Sequence, residues 1–190
     1  MNRDQLVPCA PGGMAAGLWN GPVGDAARPP LRIRPAEKID EAAIWTMIRP
    51  IIRSGMTRPQ PRDLPRRTAL GQWLAPNQGV FVAEEKGLVV GTHRLGPSQT
   101  GAGAHVASLD YAVDAEAADR GIDADLIEHS ILEARALGFE ALQLDWVVAT
   151  DMAALRLCRV FQFEAVGRIP RAFRHPFLGY VDRLIMHRFL

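Results

Sequence analysis

The feature that most constrains the fold lies between residues 111 and 127, where an apolar strand pattern passes through a short loop into a helix pattern. The strand is predicted to end at Val113, and the helix to run from Gly121 to Leu137. Free N–H groups in the first turn of a helix concentrate positive potential, and the preceding loop can add further N–H groups. The stretch therefore predicts an anion site of the kind that holds a phosphate or pyrophosphate.

The elements around this stretch predict a layered α+β domain. Residues 1–30 are rich in proline and glycine and are expected to form a flexible tail, which leaves residues 31–190 for the domain. A helix is predicted to begin after Asp40, and Pro50 is expected to kink it or break it in two. The other predicted elements are strands at 31–34, 80–84, 88–92, 105–113, 141–148, 164–169 and 180–189, and helices at 65–76, at 121–137 and after Asp151. This order favours one sheet flanked by helices.

Composition narrows the function classes. The chain has 190 residues, 48% of them apolar, and a net charge of +1, which fits one domain with no overall attraction to nucleic acid or membrane. Cys9 and Cys158 form no disulfide framework, so a reducing cytoplasm is the expected location. No apolar run approaches the ~18 residues of a membrane span. The histidines show no metal-ligand spacing, and no dinucleotide, P-loop or nucleophile-elbow motif is present, so no metal is expected.

The strand–loop–helix stretch resembles the acyl-CoA-binding signature of the GNAT acyltransferase superfamily, V-x-P-x-x-[QR]-G-x-G-x-[GA]-x-x-L. Val113, Arg120, Gly121, Ile122 and Leu126 fall in register with it. The positions that differ are Ala115 for proline, Ala118 for Gln/Arg, Asp119 for the first glycine and Asp123 for the last Gly/Ala. In the family, the backbone N–H groups of this loop hold the CoA pyrophosphate, so the ligand-binding part of the motif is altered.

Residues 148–163 resemble a second GNAT pattern, V-x-x-N-x-x-A-x-x-L-[YW]-x-x-x-G-F. Asp151 stands at the asparagine that contacts the cofactor, Cys158 at the aromatic residue that can protonate the leaving thiolate, and Gln162 at the glycine. Residues 166–182 are similar to the C-terminal hairpin of a GNAT branch that acetylates small amines.

The resemblance implies a GNAT-like fold: a mixed, mostly antiparallel sheet flanked by helices. It also implies an N-acetyltransferase that moves an acetyl group from acetyl-CoA to a small primary amine, and a domain that can pair as a homodimer. The implied cofactor-binding residues are Ala112, Val113, Asp119, Arg120, Gly121, Ile122, Asp123 and Asp151.

The two aspartates in the loop support a second interpretation. Two like charges ~4 Å apart repel by about 1 kcal/mol in water and about 4 kcal/mol at an effective dielectric near 20. Together with the loss of both glycine positions, Asp119 and Asp123 could therefore weaken CoA binding by about two orders of magnitude or more. They could instead cap the helix and fill the anion site internally, or share a divalent cation with a phosphate. The alternative function is therefore a catalytically degenerate domain that acts as a binding or regulatory module.

Two side chains are candidates for the chemistry. Asp110 shares a strand face with Ser108 and is the candidate base, although a solvent-facing or salt-bridged strand carboxylate is the ordinary alternative. Cys158 is a candidate weak proton donor, although a cysteine on a helix more often packs as a small buried hydrophobe.

Overall fold

The computed structural model describes residues 30–190, so the tail expected at the N-terminus falls outside the described residues up to position 29. Seven strands form one sheet in the order β1-β2-β3-β4-β5-β7-β6, and only β4 and β5 are parallel neighbours. The sequence-based expectation of a mixed, mostly antiparallel sheet is confirmed. The strands are β1 (Leu31–Pro35), β2 (Gly79–Glu85), β3 (Leu88–Pro97), β4 (Val106–Val113), β5 (Ala141–Val148), β6 (Glu164–His175) and β7 (Gly179–Phe189).

Within the described part of the chain, four α-helices cover the two faces of the sheet. They are α1 (Glu41–Ser54), α2 (Arg66–Trp73), α3 (Ile122–Ala136) and α4 (Met152–Val160). Helices α1 and α2 pack on one face with Val82 and Ala112, and helices α3 and α4 pack on the other with Leu109 and Leu144. Within residues 30–190, no helix is long and apolar enough to cross a bilayer.

Helix α1 continues through Pro50, so of the kink or break expected there, the break is wrong. Pro50 lies on the exposed side of the helix, where a carbonyl that has lost its backbone donor is open to solvent. The opposite side of α1 is buried against the sheet through Ile44, Met47, Ile48 and Ile52. Tertiary packing of this apolar face holds the helix together across the proline.

The β2–β3 hairpin closes through a two-residue turn. Lys86 and Gly87 both have positive φ, at 52° and 79°. A turn with two left-handed residues matches the right-handed twist of its strands, which fixes the register of the hairpin. The hairpin predicted from residues 80–92 is confirmed, and β3 continues beyond it to pair with β4.

A histidine pair lies between the sheet and α3, with His93 fully buried and His129 half-buried. His93 on β3 is fully buried, stacks on Phe81 with ring centroids 4.9 Å apart, and has its Nε2 atom 2.9 Å from Nδ1 of His129. Burial lowers the pKa of His93 to about 3, and the nearby His129 adds to this shift. Burial also lowers the pKa of His129. The folded protein therefore keeps His93 neutral at ordinary pH.

The buried His93 should make the protein lose stability in mild acid. The unfolded chain takes up a proton at His93 near its ordinary pKa of 6.5, and the folded chain does so only near pH 3. The free energy of unfolding should therefore fall as the pH is lowered through that window, by up to about 1.4 kcal/mol per pH unit for one proton. His93→Leu should flatten this dependence in urea denaturation, whereas the exposed His105→Gln should not; equal slopes would contradict the assignment.

Candidate active site

The parallel pair of strands separates halfway along its length. β4 and β5 pair at Val106 with Ala141, at Ala107 with Leu142 and at Ser108 with Gln143, and both strands then continue without facing each other. A cleft of about 510 Å³ opens between the diverging halves and is lined by side chains from both. Strand pairing thus ends at Ser108, and the cleft begins there.

The backbone of β4 presents hydrogen-bonding groups to this cleft. The N–H group of Ser98 bonds the carbonyl of Val106 at 2.8 Å, and that of Asp114 bonds the carbonyl of Val90 at 2.9 Å. Backbone N–H and C=O groups alternate in direction along a strand. Those of the even-numbered residues from 106 to 114 therefore point toward β3. The N–H and C=O groups of Tyr111 and Val113 consequently face the gap left by β5.

The loop after β4 ends at the beginning of α3. Residues 115–120 form a short 3₁₀ turn, and Gly121 caps α3 with a left-handed φ of 74°. A Cβ at Gly121 would meet no atom within 4 Å, so the space in front of the helix is open there. Asp123 lies in the first turn of α3, lines the cleft, and accepts a hydrogen bond from the N–H group of Ala124 at 2.9 Å. The helix terminus is thus partly satisfied by its own carboxylate.

The face of β4 toward α1 and α2 carries a charged cluster. Asp110 accepts hydrogen bonds from Arg58 and, at 3.2 Å, from Arg94. The two guanidinium carbons lie 5.6 and 5.2 Å from the ring centroid of Trp73. The salt-bridged alternative for Asp110 is therefore what the structure contains, and two cations surround the carboxylate that was the candidate base.

A second carboxylate, Asp145, lies at the point where the strands separate. Its Oδ2 atom accepts a hydrogen bond of 2.7 Å from the Ser108 hydroxyl, and its Oδ1 atom accepts one from the Gln143 amide. Asp145 lines the cleft together with Ser108 and Asp110. Sequence reasoning missed Asp145 because an isolated aspartate in a strand carries no motif, and only the parallel pairing brings it to Ser108.

Comparison with known proteins places this fold in a family. The sequence model of the Acetyltransferase (GNAT) family matches residues 45–163. The chain belongs to the GNAT acetyltransferase family. A search of functionally curated proteins gave no match in sequence.

Solved GNAT structures resemble the whole described domain. A GCN5-related N-acetyltransferase from Kribbella flavida is 36% identical with a TM-score of 0.81, and the match covers 84% of this chain and 98% of that one. A ribosomal-protein-alanine N-acetyltransferase from Brucella melitensis is 26% identical with a TM-score of 0.72, covering 84% and 99%. A Salmonella typhimurium structure described with its cofactor acetyl-CoA has a TM-score of 0.75 over 85% and 94% of the chains, and at 22% identity it supports the fold alone.

The residues at the GNAT loop positions have different surroundings. Asp119 is exposed, whereas Ile122 is fully buried in the core beside α3. Arg120 bonds the buried Glu85 at 2.5 Å, so its charge is directed to β2. Ala112 and Val113 both line the cleft. A ligand at residues 112–122 would therefore contact mainly the backbone and fewer of the side chains. Within residues 30–190, no group of three or more His, Cys, Asp or Glu side chains is placed to hold a metal ion.

The second GNAT segment supplies a helix cap and a core residue. Asp151 accepts a hydrogen bond of 3.0 Å from the N–H group of Ala154 and thereby caps α4, as the sequence predicts. Cys158 is only 2% exposed, packs in the core between the sheet and the helices, and is not among the described residues that line the cleft. Burial raises the pKa of its thiol to about 11, so it stays protonated.

Tyr111 is a further polar residue of the cleft that the motifs do not identify. Its ring packs on the α3 and α4 side of the sheet, opposite Asp110, and lines the cleft. Burial raises the pKa of Tyr111, with further upward contributions from Cys158, Asp151 and Asp123. The hydroxyl therefore remains protonated at neutral pH.

The Asp110 cluster should contribute measurably to stability. Asp110→Asn removes the carboxylate that compensates Arg58 and Arg94, both of which are largely buried. Hydrogen bonds to charged groups contribute about 1.5–3 kcal/mol each, so we expect a loss in that range in urea denaturation. The exposed Asp63→Asn should change the free energy of unfolding by no more than about 0.5 kcal/mol, and an equally small effect at Asp110 would show that the cluster is energetically neutral.

Proposed function

We propose that the protein is an N-acetyltransferase that moves the acetyl group of acetyl-CoA to a primary amine on a small molecule. The separation of β4 from β5 after Ser108 carries this proposal, because it opens a cleft bounded by the α3 terminus at one end and by Asp145 at the other. Acetyl-CoA supplies the activated acyl group, and the protein has to hold it, place the amine and handle protons.

The residues of the cleft fit an extended acyl carrier. The N–H groups of Tyr111 and Val113 and the C=O group of Val113 face the gap in the arrangement that an added strand would use, whereas the C=O group of Tyr111 accepts a hydrogen bond of 2.9 Å from Arg58. The amide-containing arm of CoA is an extended chain that can add in this way. The α3 terminus near Gly121 offers N–H groups and the positive end of a helix dipole to phosphate.

In this proposal, groups on one face of the sheet act on the amine and groups on the other face act on the leaving thiolate. Ser108, Asp110 and Asp145 lie together on the α1 and α2 side, which suits an amine that approaches the acyl carbon from that side. Tyr111 lies on the opposite side with a protonated hydroxyl, which suits transfer of a proton to a leaving thiolate.

The acidity of the loop favours a second candidate function, a GNAT-fold module with weak or no acetyl-CoA binding. Residues 114–128 contain six carboxylates and one arginine, a net charge of −5, and Arg120 is paired with Glu85. Asp123 already bonds an N–H group of the first helical turn. Repulsion of the CoA pyrophosphate at this site would weaken the binding of acetyl-CoA and leave the fold intact.

Calorimetric titration with acetyl-CoA distinguishes the two functions. Asp119→Gly/Asp123→Gly removes one carboxylate that lines the cleft, Asp123, and the exposed carboxylate of Asp119 in the preceding loop. It should strengthen binding about 10- to 100-fold over the wild type. Asp119→Asn/Asp123→Asn separates the effect of charge from that of side-chain size.

The matched control is Glu116→Gln, which removes one exposed carboxylate of the same loop outside the cleft lining. It should change the dissociation constant by less than about threefold, since exposed charges are screened by salt. Measurable binding by the wild type with turnover of an amine supports the acetyltransferase. Binding only by the double variants supports the degenerate module, and absence of binding in every variant contradicts the proposed cofactor.

A further inference from the structure

β5 carries a β-bulge at the point where it leaves β4. Leu144 pairs with Met186 and Val147 with Leu184, so three residue steps on β5 lie opposite two steps on β7. Leu144 and Val147 consequently pack on the same face, in the core with α3 and α4, although an odd number of positions separates them. Bulges of this kind re-aim side chains beside active sites.

Asp145, the residue after Leu144, lies on the opposite face by strand alternation, at the closed end of the cleft. Ser108 is the last residue of β4 that pairs with β5, and its hydroxyl holds Oδ2 of Asp145 at 2.7 Å. Gln143, the partner of Ser108 across the strands, donates to Oδ1. Both carboxylate oxygens are thereby fixed in direction, and the group remains partly exposed to the cleft.

The charge balance differs between Asp145 and Asp110. Asp110 accepts from two arginines, whereas the donors recorded for Asp145 in the described chain, Ser108 and Gln143, are neutral. A carboxylate with neutral donors keeps its full attraction for a cation that enters the cleft, while Asp110 is already compensated. Asp145 is therefore the better partner for an ammonium group.

The neighbouring residue supplies a surface for the remainder of such a ligand. Trp146 also lines the cleft, and its ring is held by an edge contact with Phe173 and by Arg183, whose guanidinium carbon lies 4.7 Å from the ring centroid. Ile51 of α1 lies in the same lining. A rigid indole and an aliphatic side chain suit an alkyl or aromatic body that carries the amine.

We infer that Asp145 is a catalytic residue that binds the acceptor amine and takes the proton which the nitrogen loses during transfer, and that the acceptor is a primary amine on an apolar body. The proton transfer to Asp145 rests on the proposed acetyltransferase function. The binding of the amine by Asp145 follows from the placement of the carboxylate and does not depend on acetyl-CoA.

The step balances without a further reactant. The bound ammonium first passes one proton to Asp145, which releases it to solvent. The neutral nitrogen then forms a bond to the acetyl carbon, the carbon–sulfur bond breaks, and CoA leaves as the thiolate. The nitrogen passes its second proton to Asp145 and on to solvent, and the thiolate takes one proton from solvent or from Tyr111, which regains it from solvent. The products are the amide and the thiol of CoA, with one proton released overall for each ammonium bound.

An NMR titration without acetyl-CoA tests the binding half. Benzylamine, a cation at neutral pH, and benzyl alcohol, its uncharged analogue of similar shape, are titrated into the wild type, Asp145→Asn and the exposed control Asp63→Asn. The wild type and Asp63→Asn should bind the amine at least about tenfold more tightly than the alcohol, with shifts at Ser108, Asp145 and Trp146, and Asp145→Asn should remove this difference. Equal binding of the amine by the wild type and Asp145→Asn, or no binding by the wild type, overturns the inference.

A kinetic experiment tests the catalytic half and keeps it separate from the proposed function. With acetyl-CoA and benzylamine, Asp145→Asn should lower kcat/KM about 100-fold or more at an unchanged affinity for acetyl-CoA, because general-base transfer contributes 10²–10⁴-fold. Asp110→Asn should reduce kcat/KM less than Asp145→Asn, and the reverse order overturns the catalytic assignment. If the wild type binds the amine through Asp145 and transfers no acetyl group, the proposed function fails while the amine site stands.

Discussion

The structure depends on the loss of strand pairing between β4 and β5 after Ser108. Backbone groups in a sheet need hydrogen-bond partners, and a strand that leaves its neighbour exposes a row of them. On one side the row of β4 is satisfied by β3; on the other side Tyr111 and Val113 face the cleft, where the Tyr111 carbonyl accepts a hydrogen bond of 2.9 Å from Arg58. The sheet survives this gap because β4 is held by β3 and β5 by β7, while helices cover both faces. The cleft is therefore a stable part of the fold and is available to an extended ligand.

The charges around the cleft divide it into regions that differ in their affinity for anions and for cations. At the α3 end, carboxylates of the loop stand where the helix dipole alone would attract an anion. In the middle, Arg58 and Arg94 enclose Asp110 and stack on Trp73, which makes a compensated cluster. At the closed end, Asp145 has neutral donors and faces the cleft. The same fold can thus disfavour a phosphate at one end and attract an ammonium at the other.

The regular elements were predictable because local patterns determine them. The strand Ala141–Val148 and the cap of α4 by Asp151 follow from alternation and from a capping residue, and both are found as predicted. The break at Pro50 was wrong because burial of one side of α1 outweighs a lost hydrogen bond on the exposed side. For Asp110, the ordinary salt-bridged alternative describes the observed contacts, and its partners Arg58 and Arg94 lie on a loop and on β3, which no local pattern connects.

The sequence by itself determined the family, the order of helices and strands, and the altered residues in the cofactor loop, because these depend on residues close together in the chain. Only the tertiary structure decided that Asp145 meets Ser108, since their contact requires the parallel pairing of two strands whose contacting residues are 37 positions apart. The same holds for the state of Cys158, which is fixed by core packing from several elements. Contacts between distant segments arise from how the strands pair and the helices pack, and a linear pattern does not encode which side chains then face each other.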